Sequence, residues 1–350
     1  MANFGFLQGV SSLGINYGQL GNNLLPPEKV LDLLSSLRIT KARIYDTNPQ
    51  VLTAFANSGV ELMQSPSSLP MVTSHIKPYV PATKITSIAV GNEVFTDDDT
   101  TVLLSNLVPA MVSIQGALAQ LGLDQYIKLS TPCSLAVLQE SYPPSAGSFK
   151  TEVSGVMSQL LQFLQTTKAP FWINAYPYFA YKGDPNRVSL DYVLFNPNQG
   201  MVDPFTKLQY DNMLYAQVDA AIYAMARLGF NGIEVKVSET GWPSNGDENE
   251  IGATLQNAAI YNRNLHALRP KLRLEVYVFA LFNENMKPGP SSERNYGLFH
   301  PDGTMAYNVG LSPCQLIQPQ LHPQQPHQSL ILLLLLQRSR QWAAKLYSPP

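Results

Sequence analysis

Between Leu13 and Val309 the sequence repeats one pattern, a short apolar run rich in β-branched and aromatic residues followed by a longer amphipathic segment. Parallel strands need a crossover of a dozen or more residues, usually a helix, so this alternation restricts the fold more than any composition does. Strands are expected at Ser12–Gly18, Lys41–Asp46, Gly59–Ser65, Ser87–Glu93, Tyr126–Pro132, Phe171–Tyr178, Gly232–Glu239 and Leu274–Phe282. Helices are expected at Pro27–Leu37, Leu103–Leu121, Glu152–Leu164, Asp211–Leu228 and Thr254–Leu268, the last two stopping at Gly229 and Pro270. Eight strand–helix alternations over about 300 residues match the size of a (β/α)8 barrel. An open doubly wound sheet competes, but no Gly-rich dinucleotide turn follows any of the strands. The expectation is therefore an α/β protein, a single (β/α)8 TIM barrel.

Composition matters mainly for what it excludes. With 45% hydrophobic residues the 350-residue chain buries a sizeable core, and with 23 basic against 25 acidic residues it has no basic stripe for nucleic acid or an anionic membrane. Cys133 and Cys314 are too few for a disulfide framework or a four-ligand zinc site, and the sequence leaves open whether they pair. Met1–Ser12 has no Lys or Arg to begin a secretory signal, so residues 1–11 are read as an N-terminal stump, the remnant of a signal or an intracellular start. Residues 12–312 form the expected barrel, and 313–350 a disordered or atypical tail. Its Pro/Gln/His run, Gln315–Gln328, has little to bury, and the leucines of Leu330–Leu336 fall far short of the roughly 20 apolar residues of a membrane span.

Active sites of such barrels lie at the carboxyl ends of the strands. Those ends here carry Asn16 and Tyr17, Tyr45 and Asp46, Asn92 and Glu93, Asn174 with Tyr176 and Tyr178, Glu239 with Trp242, and Asn283 with Glu284. Glu93 and Glu239 each terminate an apolar strand, IAVGNE and VKVSE, where a solvated surface glutamate has no reason to sit. Either one alone is equally well explained as an ion-pair or helix-cap partner. Together, with amides and aromatic rings beside them, they suit glycoside hydrolysis, in which one carboxyl protonates the leaving oxygen and the other attacks or activates water. Aromatic rings such as Trp242 would then stack on sugar faces.

LGINYGQLGNNLLPPEKV, ARIYD, SIAVGNEV, PFWINAYPYFAY, VKVSETGWPSNGDENE and FALFNENMKPGPSSERNYGLFHPDGTMAYNV together resemble the plant endo-1,3-β-glucosidases of glycoside hydrolase family 17 over roughly Ser12–Gly310. The resemblance implies a retaining mechanism with Glu93 as acid/base and Glu239 as nucleophile. It implies that Asn92 binds the sugar 2-hydroxyl at the cleavage point, that Tyr45, Asn174, Tyr176 and Phe282 shape the surrounding subsites, and that Glu284, Lys287 and Glu293 form a charged cluster beside the nucleophile. It also implies a β-1,3-glucan substrate, no metal or cofactor, a monomer, and secretion to the cell wall. A 1,3-1,4-β-glucanase, a transglycosylase and a non-catalytic glucan-binding wall protein are the alternatives, the last opposed by the presence of both glutamates.

Overall fold

Because side chains alternate across a strand, every second residue of a barrel strand points inward and its neighbours face the surrounding helices. The computed structural model describes residues 13–64, 72–96, 100–268 and 274–310, and in them this alternation builds the barrel. The expected stump and tail, with Cys314 and the leucine run, lie outside the described residues.

In chain order the strands are β1 (Leu13–Tyr17), β2 (Lys41–Ile44), β3 (Glu61–Gln64), β4 (Ile85–Ala89), β5 (Lys128–Ser130), β6 (Pro132–Ser134), β7 (Leu138–Glu140), β8 (Ser148–Phe149), β9 (Phe171–Asn174), β10 (Met201–Val202), β11 (Gln209–Tyr210), β12 (Val235–Thr240) and β13 (Val276–Val278). One parallel sheet runs β5-β4-β3-β2-β1-β13-β12-β9-β6, while β7 with β8 and β10 with β11 form small antiparallel hairpins outside it. The two ends of the sheet are consecutive in the chain. Ser130 of β5 pairs with Ala89, and after Thr131 alone Pro132 of β6 pairs with Trp172. The single strand expected at Tyr126–Pro132 is thus a stave broken at Thr131, and the sheet closes on itself there. Proline explains the break, since it has no N–H to give to a ladder.

The helices are α1 (Pro27–Ser36), α2 (Pro49–Ala54), α3 (Thr100–Gln120), α4 (Thr151–Thr167), α5 (Pro177–Gly183), α6 (Leu190–Val193), α7 (Met213–Arg227) and α8 (Leu255–Leu268). The sixth stave, expected to reach Tyr178, stops at Asn174 because Pro177 opens α5, a position where its missing N–H is not needed. Asn212 caps α7 by accepting from the Tyr215 N–H at 3.0 Å.

Outward residues such as Ile15, Ala42, Ile44, Leu62, Ile88, Ile173 and Val237 join the helices in one large core. Inside the barrel, Met63, Ala89, Trp172 and Tyr277 form a separate cluster. Tyr277 fits only because position 14 is glycine: a Cβ there would lie 2.5 Å from the ring. Below this layer, at the amino ends of the strands, Lys41 bonds Glu275 at 2.6 Å and Glu61 at 3.4 Å, with Lys84 and Lys236 extending the chain of charges. Above it, at the carboxyl ends, lie Asn16, Arg43, Asn174 and Ser238, all buried.

Candidate active site

Alternation along Lys41-Ala42-Arg43-Ile44-Tyr45 turns Arg43 and Tyr45 inward, and both reach Glu239 at the end of β12. Arg43 Nη1 donates to Glu239 Oε1 at 2.7 Å, the Tyr45 hydroxyl donates to the same oxygen at 2.8 Å, and the Tyr176 hydroxyl donates to Oε2 at 2.8 Å. A carboxylate that only accepts hydrogen bonds, one from a guanidinium, is arranged for its ionised form. Burial pushes the Tyr45 and Tyr176 hydroxyls far above their ordinary range, with the Glu239 charge adding to it, so both remain donors. Arg43 is fully buried. Burial opposes its charge, but the surrounding groups, the carboxyls of Glu239 and Glu93 among them, outweigh that and hold its pKa up.

Glu93 sits differently. Its Oε1 accepts one hydrogen bond, from Asn174 Nδ2 at 2.8 Å. Partial burial, and then the negative charge of Glu239, raise its pKa above the usual carboxylate value against the opposing pull of Asn174. Its backbone is in the left-handed region, φ +55°, two residues after Gly91 at φ +73°. For a residue with a Cβ this conformation costs about 1–2 kcal/mol. Tertiary bonds hold it: the Glu93 N–H donates to the Pro132 carbonyl at 2.9 Å, and its carbonyl accepts from Thr96 N–H at 2.9 Å and Thr96 Oγ1 at 3.0 Å. The break in the fifth stave therefore supplies the carbonyl that aims Glu93.

One hydrogen-bonded path joins the two carboxyl groups. From Glu239 it runs through Arg43, whose Nη2 donates to Asn92 Oδ1 at 2.7 Å. From there it runs through Asn174 Nδ2, 3.4 Å from Asn92 Oδ1, to Glu93. Ser238 Oγ donates to Asn174 Oδ1 at 2.7 Å and fixes that amide. Since a guanidinium only donates, the Asn92 oxygen must face Arg43, which leaves the Asn92 amide N–H groups for a ligand.

Of the other residues singled out in the sequence, Tyr45, Asn92, Asn174 and Tyr176 touch Glu93 or Glu239 or the bonding path between them. The expected trio of charges divides. Lys287 pairs with Glu293 at 3.2 Å and lies 4.2 Å from the Phe279 ring centre, while Glu284 is buried and accepts from the Leu20 N–H at 2.8 Å. Burial raises the Glu284 pKa, outweighing the Leu20 N–H and the Lys287 charge that lower it.

Two expected subsite residues require correction. Trp242 has no exposed surface: its ring is enclosed by Tyr178, Tyr181 and Tyr261, and its Nε1 donates to the Gly252 carbonyl at 2.8 Å. A satisfied, fully enclosed indole offers no face to a sugar, and Trp242 serves the core. Phe282 is likewise buried, edge-on to Tyr17, and has no ring face open to a sugar.

Sequence reasoning missed Arg43, although its place in the Lys41-Arg43-Tyr45 alternation put it on the face of Tyr45. It also missed Phe279 and Tyr296, whose rings pack edge-on against Tyr176 at 6.3 and 5.9 Å and back this donor to Glu239.

A parallel (β/α)8 barrel with two unequal carboxyl groups at its strand ends defines an enzyme of the glycosidase type. The model of the glycosyl hydrolases family 17 matches residues 13–311, and the chain belongs to that family. It is 52% identical over 321 residues to glucan endo-1,3-beta-glucosidase 14 of Arabidopsis thaliana, covering 85% of this chain and 82% of that relative. It is 48% identical over 325 residues to glucan endo-1,3-beta-glucosidase 11 of the same plant, covering 86% of this chain and 76% of that one. Among solved structures, CJP38, a beta-1,3-glucanase and pollen allergen of Cryptomeria japonica, is similar at 42% identity and TM-score 0.80, covering 86% of this chain and 99% of that one.

Proposed function

We propose that this chain is a retaining endo-1,3-β-glucanase, cutting internal 1,3-β-D-glucosidic bonds of β-glucan. The observation that carries the reading is the inequality of the two carboxyl groups. Glu93, half-buried beside a second carboxylate and holding one amide bond, is suited to keep a proton. Glu239 accepts from a guanidinium and two phenols and is suited to be charged.

In the first step Glu93 protonates the leaving glycosidic oxygen while Glu239 attacks the anomeric carbon. A glycosyl-enzyme forms and the chain beyond the cut departs. In the second step Glu93, now ionised, takes a proton from water, which attacks the same carbon and releases Glu239. The free Asn92 amide is placed to donate to the 2-hydroxyl of the reacting sugar, a bond that strengthens in the transition state. Retention requires the two carboxyl groups to lie about 5–5.5 Å apart. All residues with these roles come from one chain, so we take the working unit to be a monomer. Among the described residues no helix is long and apolar enough to cross a membrane; the names of the plant relatives support a 1,3-β-glucan as substrate, and we take the cell wall, reached by secretion, as the place of action.

The test is reducing-end release from linear 1,3-β-glucan, mixed-linkage glucan and 1,4-β-glucan side by side, with NMR of the first product's anomeric configuration. Rapid release from the first with retained configuration is expected. Preference for mixed-linkage glucan would move the assignment to a 1,3-1,4-β-glucanase, and an inverted product would remove the nucleophile role of Glu239.

A further inference from the structure

We propose that Glu250, which takes no part in the chemistry, is a positioning residue: it grips the two segments that bear on Tyr176 and so holds the Tyr176 hydroxyl on Glu239. The proposal rests on the retaining-glycosidase reading above and extends it to an enclosed side chain.

Glu250 closes the polar run Asp247-Glu248-Asn249-Glu250 in the segment after β12. The first three residues of the run are exposed, as such residues ordinarily are, whereas the Glu250 carboxylate has no exposed surface, a state glutamate reaches only when it is paired. Its Oε1 accepts from Lys182 Nζ at 3.0 Å and from Ser292 Oγ at 2.6 Å, and its Oε2 accepts from the N–H groups of Ser292 at 2.9 Å and Asp247 at 3.1 Å. Burial opposes its charge, but the bonds from Ser292, Asp247 and Lys182 outweigh that and bring its pKa down to about 2, so it stays ionised from mildly acidic to neutral pH.

These partners belong to different elements. Lys182 lies in α5, the helix that Tyr176 opens as its cap residue. Ser292 lies in the short 3-10 turn Ser291–Arg294, from which the chain passes through Asn295 to Tyr296, and the Tyr296 ring packs edge-on against Tyr176. Tyr176 is therefore held from two sides: its backbone begins the helix that Lys182 ties to Glu250, and its ring rests on the residue that follows the turn tied there by Ser292. The turn and the segment after β12 are fastened at two further points. Ser244 donates to the Asn295 carbonyl from its N–H at 2.8 Å and its Oγ at 2.9 Å, and Asp247 accepts from the Ser291 N–H at 3.0 Å and from the Ser291 hydroxyl. Of these links, Glu250 alone also reaches α5. A phenol that must keep its hydrogen bond to a reacting carboxylate depends on how firmly its own supports are locked, and one charged group locks both supports here.

Asp203 supplies the control. It is also buried and accepts four bonds, from the Ser145 N–H at 2.9 Å and Oγ at 2.8 Å and from the N–H groups of Phe205 at 2.9 Å and Thr206 at 3.0 Å. None of those partners bonds Glu93 or Glu239.

The test measures kcat and KM on linear 1,3-β-glucan for the full chain and for Glu250→Ala, Lys182→Met and Asp203→Ala, each with Tyr176 intact and with Tyr176→Phe. Glu250→Ala is expected to lower kcat about tenfold and Lys182→Met about threefold, with KM within about twofold of wild type. In the Tyr176→Phe background both losses should shrink to within about twofold, because the hydroxyl they position is gone. Asp203→Ala should lower the unfolding temperature yet leave kcat within about twofold in both backgrounds. Equal losses in the two backgrounds would mean that Glu250 merely stabilises the rim and would overturn the proposal, as would an unchanged kcat in Glu250→Ala or a matching fall in Asp203→Ala. Should Glu250→Ala not fold, the Lys182→Met cycle carries the same judgement. A wild-type enzyme inactive on 1,3-β-glucan would instead sink the functional reading. Crystal structures of wild type, Glu250→Gln and Lys182→Met would still judge the grip: the Tyr176 contact with Glu239, 2.8 Å in the intact chain, should lengthen or be lost in the variants, and an unmoved hydroxyl would overturn the proposal.

Discussion

The two ends of the barrel interior both contain charged groups, and they treat them in opposite ways. At the amino ends Lys41, Lys84 and Lys236 alternate with Glu61, Glu234 and Glu275, so that cations and anions balance and Lys41 and Lys236 are each shared between carboxylates. At the carboxyl ends one fully buried cation, Arg43, faces both Glu239 and the rising charge of Glu93. The first arrangement is neutral, partly solvated and relaxed. The second has one buried cation for two carboxyl groups, and one of its members has a left-handed backbone. The lower end contributes to holding the barrel closed, whereas the upper end keeps a group protonated and poised at a cost in stability.

Substitutions at the upper end should therefore act on rate, with the largest effect at Glu239, the proposed nucleophile. Glu239→Gln is expected to reduce turnover of every substrate by at least about a thousandfold. Glu93→Ala should lose most activity on glucan but regain part with added azide, which can replace the missing base in the second step. Azide products of inverted configuration would mean that the two roles are exchanged.

Next in size is the contrast between two cations on one strand. Arg43→Met should lower kcat/KM by about a hundredfold, since it removes the charge beside Glu239 and frees the Asn92 amide to flip. Lys41→Met should leave kcat/KM within about twofold and lower the unfolding free energy by roughly 1 kcal/mol, because its partners are partly exposed and Lys236 still reaches Glu275. Equal effects of the two on rate would erase the distinction between the ends.

These expectations show what the sequence made legible and what it did not. The strand rhythm was enough for the barrel and for placing Glu93 and Glu239 at its rim, because a polar residue ending an apolar strand falls at a strand end. Trp242 and Phe282 were misread for the opposite reason. Aromatic side chains suit both a sugar face and a core, and only the enclosure by Tyr178, Tyr181 and Tyr261 decides the case of Trp242. The break at Thr131 was hidden because its consequence, the pairing of Pro132 with β9 and of its carbonyl with Glu93, is entirely long-range.

A third pair of measurements concerns pH. Because the folded-state pKa of Glu93 is raised, its protonated form persists above the ordinary carboxylate range, and the alkaline limb of the kcat/KM profile should lie correspondingly high. The sign for stability is the reverse of a salt-bridged acid. The folded state binds the proton more tightly than the unfolded chain, so Glu93 costs stability once the pH exceeds its folded pKa. Glu93→Gln should raise the unfolding temperature at neutral pH, with the gain vanishing as the pH falls below the unfolded-chain value. Scanning calorimetry at pH 7 and pH 4 would detect this, and a gain that grew on acidification would refute the raised pKa.

The smallest expected effect isolates the backbone. Glu93→Gly should be more stable than Glu93→Ala by roughly 1 kcal/mol at any pH, since only glycine adopts a positive φ without penalty. Both variants lack the carboxyl, so a difference near zero in denaturant unfolding would show that the loop relaxes and stores no strain.

The snug fit of Gly14 against Tyr277 has a consequence for how such an enzyme can diversify. With Met63, Ala89 and Trp172, that ring forms a packed layer that keeps the side chains of one end of the barrel out of contact with those of the other. Changes that retune the cleft for another glycan need not be matched by changes among the lysines and glutamates beneath it, and losses at the two ends should combine additively. That layer thereby gives the barrel a modularity of its own: a base that can remain the same while the rim above it is rewritten.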